Sequence, residues 1–269
     1  MRQTAYAKIN LALHVRKRRA DGYHELETLF AFVDAGDELS AHSAARDELT
    51  VVGEFASQLT DLFANIVAKT LASLPRSGGL ALTLEKNLPV AAGLGGGSAD
   101  AGAVFRIVDQ LDGLPADWRT SAAKLGADVP ACVESRACLG GGTGTALASV
   151  TNDLEGTPVL LVNPRVPLST AAVFAAWDGT DRGPMPSGPV SVIARDGRND
   201  LELPAISLVP QIATVLDALG RTEATLVRMS GSGATCFALY RDPESLSAGA
   251  RQIAADHPDW WQLSGRLRP

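Results

Sequence analysis

Leu88-Pro89-Val90-Ala91-Ala92-Gly93-Leu94-Gly95-Gly96-Gly97-Ser98-Ala99-Asp100-Ala101 is the stretch on which the reading of this chain turns. An apolar run with Pro89 tightens into Gly93, Gly95, Gly96 and Gly97, and polarity returns at Ser98. Ala101, Val104, Phe105, Val108 and Leu111 then recur at offsets of three and four, which predicts an amphipathic helix. Glycine lets a backbone curl closely and adopt positive φ. The first turn of the helix adds unpaired N–H donors and the positive end of its dipole. The combination suits an anion, phosphate above all. A plain glycine turn with Ser98 as the helix N-cap is the competing reading. A P-loop needs G-x-x-x-x-G-K-[ST], and no Lys precedes Ser98. A dinucleotide fingerprint needs an acidic strand end about 20 residues on, where Leu114-Pro115-Ala116-Asp117 reads as a helix start instead.

The 269 residues suffice for one large or two ordinary domains, and 46% hydrophobic with 20% charged residues describes a folded protein. A net charge of −6 argues against a nucleic-acid partner, since the one short basic run is Arg16-Lys17-Arg18-Arg19. Cys132, Cys138 and Cys236 form neither a CxxC pair nor an even framework, and read as thiols of a reducing compartment. No apolar run nears the roughly 18 residues of a membrane span, and no signal-peptide core follows Met1. The expectation is a cytoplasmic protein without a membrane partner.

Going along the chain, Ala5–Val15 alternates as a strand, with Ile9, Leu11, Leu13 and Val15 on one face. Lys8, Asn10, Ala12 and His14 share the other, either a solvent face or a functional one; the small Ala12 implies something packed close by. Asp21-Gly22 marks a turn before Tyr23 and His24, which either cover a hairpin end or meet a planar ligand. Strands are expected at Leu26–Val33, Leu49–Val52 and Leu80–Leu84, with a helix over Leu59–Leu74 between the last two. Asp117–Leu125 predicts a helix closed by Gly126. Asp128 falls at a junction because Pro130 disfavours helical geometry at Val129; its plain role is an N-cap. Gly140-Gly141-Gly142 reads as a hairpin turn, and residues 151–157 as a domain boundary. Beyond it lie a buried strand at Pro158–Val162 and a short helix at Thr170–Trp177. A surface loop free to move follows at Asp178–Pro189, then a helical region from Asn199 to Leu219. Strands at Thr225–Met229 and Thr235–Tyr240 flank Ser230-Gly231-Ser232-Gly233-Ala234, and a helix at Pro243–Ala255 closes the pattern.

Three separated stretches resemble the motifs of the GHMP small-molecule kinases: Ala7-Lys8-Ile9-Asn10-Leu11, Pro89 to Ser98, and Met229 to Ala234. Arg19-Ala20-Asp21-Gly22-Tyr23-His24, Leu125-Gly126-Ala127-Asp128-Val129-Pro130 and Asn199-Asp200-Leu201-Glu202 narrow the resemblance. They are similar to the branch that phosphorylates a cytidine diphosphate conjugate of methylerythritol for non-mevalonate isoprenoid biosynthesis. The resemblance implies an α+β, two-domain GHMP kinase fold: a ribosomal-protein-S5-like domain over residues 1–153 and a ferredoxin-like domain over 154–269. It implies ATP with Mg²⁺, Lys8 and Asp128 as the catalytic pair, and Asn10, Tyr23, His24 and Phe174 on the substrate. Around ATP it implies Pro89, Val90, Ala91, Ala92, Gly93, Leu94, Gly95, Gly96, Gly97 and Ser98, with Asn65 at the adenine. No protein-bound metal cage is implied, since Mg²⁺ arrives with ATP. Three departures from the family pattern are Ala92 for Gly, Ala99-Asp100 for Ser-Asn, and the absence of a Glu after Gly140–Gly144. Asp100 is a like charge beside phosphate, so it is expected to point away or to meet Mg²⁺ through water. Homoserine or mevalonate kinases would keep the glycine loops without needing Tyr23 and His24. A catalytically silent nucleotide binder would not need both Lys8 and Asp128.

Overall fold

Alternation at the N-terminus and the turn at Asp21-Gly22 give two long strands, β1 (Arg2–Arg18) and β2 (His24–Ala44), in a computed structural model that describes residues 1–59 and 65–269. β3 (Glu48–Val52), α1 (Ile66–Ser73), β4 (Gly79–Glu85), α2 (Gly96–Asp112), α3 (Trp118–Leu125) and α4 (Val129–Glu134) follow. Next come β5 (Cys138–Gly142), β6 (Ala146–Ser149), β7 (Pro158–Asn163), α5 (Thr170–Ala176) and α6 (Val190–Asp196). The chain ends with α7 (Glu202–Leu208), α8 (Gln211–Gly220), β8 (Leu226–Met229), β9 (Cys236–Leu239), α9 (Pro243–Asp256) and β10 (Trp261–Arg266). The mixture of sheets and helices is the α+β class expected.

Two compact units draw on interleaved segments of chain, so neither coincides with residues 1–153 or 154–269 taken whole. The first comprises Met1–Lys8, Ala35–Val90 and Gly95–Ser135. In it the far half of β2 pairs antiparallel with β4, Leu39 opposite Leu84, and β3 pairs parallel with β4. Leu80, Leu82 and Leu84 are buried, as their alternation requires. The stripe on α2 behaves likewise: Ala101, Val104, Phe105 and Val108 are wholly buried, while Leu111 is exposed at the helix end. α2 crosses α4 closely at Gly102, where a Cβ would sit 2.5 Å from the Cys132 carbonyl oxygen.

The second unit comprises Ile9–Asp34, Ala91–Leu94 and Arg136–Pro269. Here the near half of β2 pairs antiparallel with β5, and β5 with β6. A separate antiparallel sheet runs in the order β10-β7-β9-β8. Its core includes Leu160, Val162, Cys236, Ala238 and Tyr240, with Ile212, Val215 and Leu219 from α8 and Ile253 from α9.

Several expectations need correcting. Gly140-Gly141-Gly142 is strand, not turn; the turn lies at residues 143–145, and Gly140 is small because the Phe30 ring leaves its Cβ no room. Of the Leu59–Leu74 helix, α1 accounts for residues from Ile66, and Leu62 and Phe63 lie outside the described residues. The Asn199–Leu219 region breaks into α7 and α8 at Pro210, with α6 ahead of it, and β10 was not anticipated at all. Both faces of β1 are buried from Ala7 to Val15, so Lys8, Asn10 and His14 occupy no solvent face. Ala12 is small for the reason anticipated: a Cβ on Gly197 would stand 2.8 Å from its own.

The α2–α4 crossing predicts that Gly102→Ala costs about 1–3 kcal/mol, because helix backbone rather than a side-chain tip must move. An unchanged denaturation midpoint would contradict this packing.

Candidate functional site

In the first unit, Lys8 comes from β1 and Asp128 from the residue before α4. Lys8 Nζ lies 3.1 Å from Asp128 Oδ2, with the lysine side chain 6% and the aspartate 31% exposed. Asp128 does occupy the N-cap position, but its side chain makes no cap hydrogen bond. The carboxylate is thus turned to the ammonium while keeping one side accessible, an arrangement suited to accepting a proton from a ligand. Gly95 covers the pair with φ +60°; a Cβ there would be 2.9 Å from Lys8 Cε and 3.7 Å from Asp128 Oδ2.

Gly95, not Ser98, caps α2, and it offers no side-chain acceptor. The first intrahelical bond runs from the Ala99 amide to the Gly95 carbonyl. Gly96, Gly97 and Ser98 therefore carry amides that the helix itself does not use, at the positive end of its dipole. That is a geometry for an anion. Asp100 points away from this opening, the first of the two expectations: it is buried and paired with Lys86. Asn65 caps α1, its Oδ1 accepting from the Val67 amide at 2.8 Å.

In the second unit, Asn10 belongs to a hydrogen-bonded framework. Its amide nitrogen donates to Thr28 Oγ1 at 2.7 Å, and its backbone N–H donates to Ser230 Oγ at 3.2 Å. Ser230 Oγ donates in turn to the Gly93 carbonyl at 2.7 Å, and the Thr235 amide donates to the Ala92 carbonyl. Asn199 Nδ2 donates to the Met229 and Gly231 carbonyls, both at 2.8 Å, and Glu202 accepts the Met229 amide. Asp200 accepts the Val15 amide at 2.8 Å. Asn199 to Glu202 thus holds the Ser230–Ala234 turn and β1 by their backbones, a role the sequence signalled only as a helix start.

Also in this unit, the hairpin sets His24 against Phe174, ring centroids 4.9 Å apart, and edge-on to Trp177 at 5.7 Å. Burial, then the Arg18 guanidinium, holds the His24 imidazole below its ordinary pKa. Tyr23 stands 67% exposed beside them. Trp177 was not singled out from sequence; an aromatic closing a short helix looks there like ordinary core.

The Asp178–Pro189 loop has no regular structure, yet it is tied down. Arg16 binds Asp181 at 2.9 and 3.1 Å, and Glu27 Oε2 accepts the Met185 amide at 2.6 Å. His14 faces the Gly183 carbonyl through Nδ1 at 3.3 Å and accepts the Arg198 amide on Nε2 at 3.2 Å. Those partners require the neutral ring with its proton on Nδ1. Burial and then Arg198 hold its pKa below the usual 6.5.

Comparison with known proteins supplies a context for this geometry. Residues 61–142 match the family model described as "GHMP kinases N terminal domain", and residues 191–259 match "GHMP kinases C terminal". The 4-diphosphocytidyl-2-C-methyl-D-erythritol kinase of Novosphingobium aromaticivorans is 65% identical over 268 residues, covering 100% of this chain and 93% of the relative. The kinase of the same name from Erythrobacter litoralis is 61% identical, covering 99% of each. A crystal structure of 4-(cytidine 5'-diphospho)-2C-methyl-D-erythritol kinase superposes with a TM-score of 0.84 at 32% identity, over 100% of both chains. Among the described residues, no helix is long and apolar enough to cross a membrane.

The His14 contacts carry a pH sign. With the folded pKa depressed, the unfolded chain takes up the proton first, so stability present above about pH 6.5 is lost as pH falls through the folded value. Wild type should lose on the order of 1 kcal/mol more than His14→Gln between pH 7 and pH 5 in thermal melts. Parallel melting curves for the two proteins would refute this.

Proposed function

The chain belongs to the 4-diphosphocytidyl-2-C-methyl-D-erythritol kinase family of the GHMP kinases, and from that premise we propose the substrate and the residue roles of its reaction. It is an ATP-dependent small-molecule kinase. In our reading the ATP γ-phosphate passes to the 2-hydroxyl of 4-diphosphocytidyl-2-C-methyl-D-erythritol, in non-mevalonate isoprenoid precursor biosynthesis. The observation that carries the reading is the Lys8–Asp128 pair lying against Gly95 at the uncapped start of α2.

A tertiary alcohol is a crowded and weakly acidic nucleophile, so a carboxylate able to take its proton as the O–P bond forms is useful. Asp128 is that general base, and its accessible side is where the hydroxyl would approach. Lys8 stays fixed on the far oxygen, orients the carboxylate and balances charge developing on the alkoxide and the transferring phosphoryl group. The amides from Gly96 to Ser98 take phosphate oxygens, and residues Pro89 to Ser98 with Asn65 form the nucleotide side. Mg²⁺ bound to ATP would supply charge neutralisation on its phosphates. Asn10 serves the acceptor end. Tyr23 stacks on cytosine, His24 hydrogen-bonds its edge, and Phe174 supplies the second aromatic surface. Residues 1–153 and 154–269 are read as the N- and C-terminal GHMP domains, a division of the sequence supported by the family matches on either side of it.

Asp128→Asn keeps the shape and removes the base, so kcat should fall about 10²–10⁴-fold while ATP still binds. ADP release with the cytidylyl substrate, homoserine and mevalonate in parallel tests the acceptor; turnover of either of the last two in preference would overturn the substrate assignment. Tyr23→Ala should raise KM for the cytidylyl substrate roughly tenfold, the scale of losing one base stack, with a smaller change in kcat. An unchanged KM would remove Tyr23 from the site.

A further inference from the structure

Beneath the glycine loop of the first unit lies a cluster of charge that the proposed chemistry does not use. Lys86 follows β4, Asp37 lies in β2 and Asp100 in the first turns of α2; all three are buried. Lys86 Nζ donates to Asp37 Oδ2 and, at 3.0 Å, to Asp100 Oδ2. Asp37 Oδ1 accepts the amides of Asn87 at 2.6 Å and Leu88 at 2.8 Å. A Cβ on Gly96 would stand 3.4 Å from Lys86 Nζ and 3.8 Å from Asp37 Oδ2. The cluster therefore reaches the chain just before the loop, through Asn87 and Leu88, and again where the loop passes into α2, through Gly96 and Asp100.

We infer that Asp37, Lys86 and Asp100 form a buried, net-neutral clamp that positions both ends of the glycine loop for nucleotide, with Asp100 present as the protonated acid. This rests on the nucleotide role given to that loop above. Two carboxylates on one ammonium would leave a net negative charge in an unsolvated place under an anion cradle, and one proton removes it. The donors decide which oxygen carries that proton. Asp37 accepts from two amides and Lys86, whereas Asp100 accepts from Lys86 alone. Asp100 Oδ1 has no hydrogen-bond partner among the described residues. The like charge that looked out of place beside phosphate is, on this account, no charge at all.

The electrostatics agree in direction. Burial, with the neighbouring Asp37, lifts the Asp100 carboxyl well above the usual carboxylate range against the opposing pull of Lys86. Of the elements packed on α2, α1 carries Lys69 and α4 carries Glu134, both exposed. On α2 itself, Arg106 engages carbonyls of Thr4 and Cys132, and Asp109 is exposed. Lys86 and Asp37 are thus the charged groups that govern Asp100.

Two measurements on the full chain test the inference. Thermal and denaturant melts of wild type and Asp100→Asn from pH 4 to pH 9 read the proton. An acid whose folded pKa is raised loses stability as pH rises from its unfolded value towards its folded one. Asp100→Asn lacks that loss, so it should gain on wild type by about tenfold in folding equilibrium constant per pH unit across that window. A gap that stays constant from pH 4 to pH 9 overturns the protonated acid. Calorimetric binding of an ATP analogue, with KM for the acceptor alcohol in parallel, reads the positioning. Lys86→Met and Asp37→Asn should each weaken nucleotide binding about tenfold or more while the acceptor KM moves less than about threefold. Wild-type nucleotide affinity in Asp37→Asn, the milder change should Lys86→Met fail to fold, overturns the clamp. The melts involve no nucleotide, so they decide the protonation even if wild type binds none, a result that would instead overturn the loop's assigned role.

Discussion

An ammonium withdrawn from water is expensive unless a carboxylate meets it, and the first compact unit is arranged around that demand. Lys8 lies inside β1, where both faces are covered, and its partner must come from elsewhere in the chain. Asp128 reaches it because Pro130 starts α4 where it does, leaving the preceding aspartate at the helix mouth with its side chain uncommitted to the cap. Gly95 completes the constraint: any side chain there would intrude on the lysine stem, and its left-handed backbone is what starts α2 without a capping oxygen. One ion pair thereby explains a proline, a glycine and a helix whose first amides remain available.

The second unit depends less on charge than on backbone hydrogen bonds satisfied by buried side chains. Ser230, Asn199, Glu202 and Asp200 each receive or supply a main-chain group that no strand ladder serves. Arg228 does the same with a guanidinium, donating to the carbonyls of Leu11, Ala194 and Gly197. Buried peptide groups without partners are rare because each is costly. Irregular turns of the kind at residues 230–235 are therefore affordable only where such residues surround them.

Much of this was legible from residue pattern. Period-two alternation located β1 and β4, the three- and four-residue spacing located α2, and Asp117 to Gly126 located α3 to within a residue. Lys8 and Asp128 were legible as a pair only through the family resemblance, since 120 positions of sequence separate them and their meeting is tertiary. What the pattern missed has physical reasons. A glycine triplet reads as a turn unless the facing Phe30 ring is known. The loop at 178–189 reads as unrestrained because its ties, Arg16 to Asp181 and Glu27 to Met185, span most of the chain. Asp100 reads as a like charge beside phosphate, to be turned away or met by Mg²⁺ through water, because nothing local announces Lys86 and Asp37 behind it.

The interleaving of the units also fixes a sequence of events during synthesis. Everything the first unit needs has been translated by Ser135, so that unit can close early. Ile9–Asp34 belongs to the second unit and, apart from the four residues Ala91–Leu94, must wait for partners that begin about a hundred residues later, at Arg136. At ribosomal speeds of 5–20 residues per second that is a delay on the order of ten seconds. Throughout it, these stretches of β1 and β2 have each other and Ala91–Leu94, but not the bulk of the unit they belong to. The high contact order that makes such pairings slow also makes this interval the one in which the nascent chain is most exposed to aggregation and to chaperones.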